Sequence, residues 1–181
     1  MVVLATLGIN TGIVLDVGYK EAVAIPIVEA VTLLDSAQFA PLGGASIHLR
    51  IMDELFQRKA TIRENGEERT IDAHLDKSIL EDIKVRACFV TTFERGAVLA
   101  QQKRNDGDVV SPPIECSIKR PPPSVRFPIE GNKILKVSGS LRESVCEVLF
   151  EMYGEEHTLP TLIIDAIRAC PIDCRRQLAS N

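Results

Sequence analysis

Two runs of β-branched and aliphatic residues, 11–18 and 21–28, are separated only by the tight connection Gly18-Tyr19-Lys20. Such runs around a short glycine-led turn predict a hairpin, with Thr11–Gly18 paired antiparallel to Glu21–Val28. An acid, Asp16, stands at the end of the first run. A turn of this kind directs backbone N–H groups outward, which suits phosphate oxygens or the shell of a bound cation. A lone Asp-x-Gly is more often only a hairpin turn. Pro26 limits how far the second strand can pair, and Val28–Leu34 can continue the meander.

After the break at Pro41-Leu42-Gly43-Gly44, a helix is expected from about Ser46 to near Arg58, with Ile47, Ile51, Met52, Leu55 and Phe56 on one face. His48 falls at the edge of that stripe and reads as a boundary residue rather than a metal ligand. Ala60–Thr70 reads as a polar connection with a solvated turn at 64–69. Ser78-x-x-Glu81 has the form of a capping box opening a helix whose stripe is Ile79, Ile83, Ala87 and Val90. Lys84 lies off that stripe, either solvated or aimed at a ligand cleft. Residues 101–125 lose periodicity and gather prolines, which predicts a mobile, length-tolerant loop rather than a docking peptide.

Lys133–Val137 alternates like a half-exposed strand behind a Gly131-Asn132 turn. Ser140-x-x-Glu143 is a second capping-box pattern, opening a helix with Leu141, Val145, Val148 and Leu149 inward. A further helix is expected over Leu162–Cys170, with Pro160 in its first turn and Pro171 ending it. Asp173 can cap a last turn through Gln177; Cys170 reads as core and Cys174 stays open.

The 181 residues are 45% hydrophobic and 25% charged, a globular composition. A net charge of -4 with dispersed basic residues predicts neither nucleic acid nor membrane insertion as a partner. Aromatics at 4% and no Trp argue against base-stacking platforms. Five cysteines without a Cys-x-x-Cys pair predict neither a disulfide framework nor a zinc ribbon, and fit a reducing compartment. The apolar start, Met1–Ile9, lacks the basic flank of a signal peptide, and no apolar run approaches the ~20 residues of a membrane span. A soluble, intracellular protein is expected.

The order of elements resembles actin and the actin-related proteins. The matching segments are Thr11–Gly18, Ile25–Glu29, Leu42-Gly43-Gly44, Glu81–Lys84 with Cys88-Phe89-Val90, Glu147–Phe150 and Cys170–Arg175, in the family's order. This implies a partial α/β, actin-like (ribonuclease H-like) ATPase-domain fold: most of the second lobe, carrying an inserted smaller α/β subdomain. Residues 1–44 and 156–181 would belong to subdomain 3, and 45–155 to a subdomain 4-like insertion with the loop at 101–125. The first lobe would precede Met1, and the adenosine-side strand would follow Asn181. The chain is expected to be a fragment, with Met1 an internal methionine.

The resemblance further implies nucleotide contacts by Asp16, Val17, Gly18, Tyr19, Gly44 and Lys84, with Asp16 holding Mg through water, and ATP or ADP bound by the full-length protein rather than by this fragment alone. The family's second acid and second glycine are replaced by Tyr19 and Lys20, its water-positioning histidine by Val23, and its ribose-contacting acid by Val85. Lys20 in a glycine-only conformation would be strained. These departures imply slow or absent hydrolysis and no catalytic residue. Leu7–Asn10, Leu15–Lys20, Pro41–Gly44, Leu80–Arg86 and Cys170–Asp173 are most similar to actin-related subunits at the pointed end of dynactin. That implies a cytoplasmic, cytoskeletal protein with actin-like filament subunits and pointed-end subunits as partners, and dynein indirectly. The alternative is an active ATPase of the actin, sugar-kinase and heat-shock superfamily.

Overall fold

A computed structural model of the chain describes residues 2–105, 120–129, 131–151 and 157–180. The chain forms two compact units, Met1–Ser46 with Met152–Asn181, and Ile47–Glu151. No helix among the described residues is long and apolar enough to cross a membrane.

The first unit opens with a short helix, α1 (Val2–Thr6), where the sequence suggested only an apolar run. Strands β1 (Gly12–Val17) and β2 (Ala22–Val28) then pair antiparallel as expected. Their register matches Asp16 with Val23 and Gly12 with Ile27. The meander is shorter than the apolar run suggests: β3 is only Val31–Thr32, and Leu34–Ser36 turns as a 3₁₀ helix. A strand not foreseen, β4 (Gln38–Ala40), returns to pair with the first half of β2. Helix α6 (Leu159–Ala169) packs against β2 and β4, and α7 (Ile172–Ser180) against β1 and β2. Ala22, Ala24 and Ala40 on the strands are buried, as are Leu162 and Ala166 on α6. Thr158 and Thr161 cap the start of α6 reciprocally, with Pro160 in the first turn. Asp173, expected as a cap, lies inside the first turn of α7, because that helix already begins at Ile172.

The β2–β3 turn is held by its surroundings rather than by its own residues. Glu29 (φ 49°) and Ala30 (φ 63°) are both left-handed, as a two-residue hairpin turn requires, yet neither is glycine. Their amides donate to the Thr11 hydroxyl (3.0 Å) and the Asn10 carbonyl (2.7 Å). Thr11 is fully buried there.

In the second unit the core joins helix α2 (Gly44–Gln57), from Ile47 on, to α3 (Lys77–Ala87) and a four-stranded antiparallel sheet. The sheet order is β6 (Glu67–Thr70), β5 (Thr61–Glu64), β8 (Ile134–Val137), β7 (Val125–Pro128). Ile51, Leu55, Ile83, Leu135, Val137, Leu141 and Val145 are its most enclosed side chains. The alternation read at 133–137 is realised: Leu135 and Val137 point inward, Ile134 and Lys136 outward.

Several expectations for this unit fail for identifiable reasons. Ala60–Thr70 is not an irregular connection but the β5–β6 hairpin, turned by Asn65 (φ 51°) and Gly66 (φ 93°). Ser78 does not cap α3. Asp76 precedes the helix, and the Ser78 hydroxyl donates to its carboxylate at 2.7 Å. Val90 lies beyond α3 and is exposed. The second capping residue is Ser138, not Ser140, since its Oγ accepts from the Leu141 amide at the start of α5 (Gly139–Ser144). A 3₁₀ helix, Val145–Leu149, follows. The loop expected from Gln101 starts too early, because α4 runs Phe93–Asn105, and Val125 is already strand; residues 106–119 lie outside the described residues.

Replacing Ala30 by Gly is expected to raise stability by about 1 kcal/mol, because glycine adopts the left-handed conformation without a Cβ penalty. Urea unfolding of the Ala30→Gly protein checks this, with the midpoint moving up.

Candidate functional site

Asp16, Val17, Gly18 and Tyr19 form the exposed tip of the β1–β2 hairpin. The Gly18 amide does not point outward: it donates to the Glu21 carbonyl at 2.9 Å and closes the turn. None of Gly18, Tyr19 and Lys20 has a positive φ, so the strain expected at Lys20 does not arise. The head of α2 is seated on this tip. The Gly44 amide donates to the Gly18 carbonyl (3.1 Å) and the Ala45 amide to the Tyr19 carbonyl (2.7 Å). Two of the amides that a helix start leaves without intrahelical partners are satisfied in this way.

Gly43 makes the approach possible. A Cβ there would overlap the Gly18 carbonyl oxygen and lie 2.8 Å from that of Tyr19. It is the glycine this junction requires, and among the candidate contacts the sequence singled out its neighbour Gly44 instead. Five of the six candidate residues, Asp16, Val17, Gly18, Tyr19 and Gly44, are thus brought together in the first unit. The Asp16 carboxylate is exposed and makes no hydrogen bond or ion pair among the described residues. Across the strands its partner is the aliphatic Val23.

The sixth, Lys84, belongs to the second unit, on α3. It is neither simply solvated nor free: its Nζ lies 2.7 Å from Glu81 Oε2. The same oxygen is 2.9 Å from His48 Nε2 on α2. His48, expected at a boundary, is only 4% exposed. The Lys84 hydrogen bond holds the Glu81 carboxyl below its ordinary range. Burial is the main cause lowering the His48 pKa, reinforced by the Lys84 charge and opposed by Glu81. Sequence spacing could pair Glu81 with Lys84, three apart on one helix, but held no signal for His48, which arrives from another element.

Among the described residues no group of three or more His, Cys, Asp or Glu is arranged to hold a metal ion. The family model described as Actin matches residues 3–181. The chain belongs to the actin family. Among the described residues, its two antiparallel sheets and their helices form a partial actin-like fold.

Two outcomes follow from this geometry. Gly43→Ala is expected to destabilise the first unit by roughly 1–3 kcal/mol, since backbone rather than a flexible side chain must yield; urea unfolding reads the loss. His48 binds its proton less readily folded than unfolded, so stability falls as pH drops below its ordinary pKa of about 6.5. The urea midpoint should therefore be lower at pH 5.5 than at pH 7.5, and His48→Gln should flatten the part of that slope nearest neutrality.

Proposed function

We propose that this chain supplies most of the second lobe of a structural, non-catalytic actin-related subunit, in which nucleotide braces two lobes and is not turned over. The observation supporting this most directly is the pairing of Asp16 with Val23. The residue beside the acid on the hairpin can neither orient a water molecule nor carry a proton.

Of the residues present, Asp16 is the one that supports ATP or ADP with Mg as the ligand of the full-length protein. The Asp16 carboxylate, exposed and without a partner among the described residues, fits the outer shell of a magnesium ion, whose role when bound is to neutralise phosphate charge. Gly18 contributes shape rather than a donor, its amide being committed to Glu21. Lys84, matched by family position to an adenine-side contact, is held by Glu81.

Within the family, the segments Leu15–Lys20, Pro41–Gly44 and Leu80–Arg86 favour the pointed-end subunit of dynactin, actin-related protein 10, also called 11. In that role the subunit would cap the pointed end of an actin-like filament and dock the other pointed-end subunits. It would serve dynein-driven microtubule transport from the cytoplasm.

A single-turnover assay on the full-length protein tests the non-catalytic role. Phosphate release should stay at background, while Asp16→Ala weakens magnesium-dependent ATP binding. Rapid release that disappears with Asp16→Ala would instead establish an ATPase. Co-purification with dynactin subunits tests the assignment within the family, and its failure removes that assignment while leaving family membership intact.

A further inference from the structure

A cavity of about 250 Å³ opens in the second unit between the end of α2 and strand β8. Its charged lining residues are Arg58, Lys59 and Lys136, and its polar ones Thr61 and Ser138. Leu55 and Leu141 also line it, although both are almost fully enclosed in the core.

Arg58 and Lys59 are consecutive just past the end of α2, and Lys136 comes from β8. Among the described residues Glu54 is the carboxylate that compensates Arg58: it accepts from Arg58 Nε at 2.6 Å and is itself shared with Arg50. Arg58 Nη1 donates to Ser140 Oγ at 2.8 Å, so the guanidinium is held in place from two sides. Neither Lys59 nor Lys136 has an ion-pair partner among the described residues. On a chain of net charge -4, the two lysines are a local concentration of uncompensated positive charge beside a concave surface.

The conformation of Lys59 points the same way. The Ala60 amide donates to the Leu55 carbonyl and the Lys59 amide to that of Phe56, the bonding pattern that ends a helix through a left-handed residue. Glycine ordinarily fills that position, and here it is a lysine at φ 49°. A side chain kept where its backbone is strained, on the wall of a cavity, suggests a use for its charge.

We propose that this cavity binds a tetrahedral oxyanion, either free phosphate or a phosphate monoester. Cations from two segments lining one concave surface suit a group with several equivalent oxygens, and charge-assisted hydrogen bonds from lysine and arginine would hold it. At about 250 Å³ the cavity has room for the carbon skeleton of a small monoester beside its phosphate.

Backbone amide NMR of the 181-residue chain, titrated with inorganic phosphate and with glycerol 3-phosphate at constant ionic strength, tests the proposal. Saturable shifts are expected at Lys59, Ala60, Thr61 and Ser138 for at least one of the two probes, with no matching response to chloride. Tighter binding of glycerol 3-phosphate would assign a phosphate monoester as the ligand, and equal or tighter binding of inorganic phosphate would assign free phosphate. Lys136→Gln and Lys59→Gly should each weaken binding about fivefold to tenfold. Lys59→Gly should at the same time raise the urea midpoint, because glycine relieves the left-handed backbone, so weakened binding by that variant cannot be put down to unfolding. Shifts that never saturate, that chloride reproduces, or that survive both substitutions would overturn the site.

Discussion

The first unit depends on two backbone hydrogen bonds, from Gly44 and Ala45 at the head of α2 to the carbonyls of Gly18 and Tyr19 at the hairpin tip. They satisfy helix amides that would otherwise need solvent or a side-chain cap, and they fix the tip by its carbonyls. Gly43 is what lets the two backbones come so close. The tip consequently needs no left-handed residue, and Tyr19 and Lys20 stand at its apex without strain. The same bonds limit what the tip can offer a ligand. The Gly18 amide and the first amides of α2 already have protein partners, and Asp16 is left as the exposed polar side chain at the strand's end.

The second unit is cross-linked by charge around its aliphatic core. Arg95 on α4 holds Glu143 on α5 through two bonds, 2.7 and 3.1 Å, with Glu143 almost fully enclosed. Arg50 bridges Glu54 and Glu151, and His48 reaches Glu81. Pairs of this kind add little net stability, yet removing one partner leaves the other buried without compensation. They tie the helices to one another at defined points, where aliphatic packing alone would tolerate sliding. Lys59 and Lys136 stand outside this pattern of pairing, which is why the cavity they border is distinctive.

What the sequence made legible was whatever wrote its burial as a period. The β1–β2 pair, the stripe of α2 and the inward Leu135 and Val137 all follow from local patterning. The β5–β6 hairpin was hidden because every residue of β6 is exposed, so no alternation marks it, although Asn65-Gly66 is a strong hairpin dipeptide. Helix α4 has a poor apolar stripe, and Arg95 within it is positioned by an ion pair with a residue 48 positions away. The two serine capping boxes were misplaced because Asp76 and Ser138, two residues upstream in each case, lie at the helix start. In the candidate site the acid and the glycine turn were legible, whereas the bonds to α2 and the enclosure of His48 are tertiary and left no mark on spacing.

A hairpin tip and a helix head joined in this way should open together. Residue-resolved amide hydrogen exchange tests that most directly. The Gly44 and Ala45 amides should be protected to the same free energy as Gly18 and exchange with it as one cooperative group. Fast exchange at Gly44 and Ala45 while Gly18 and the β1–β2 ladder stay protected would contradict the account, since the helix head would then not be fastened to the tip at all.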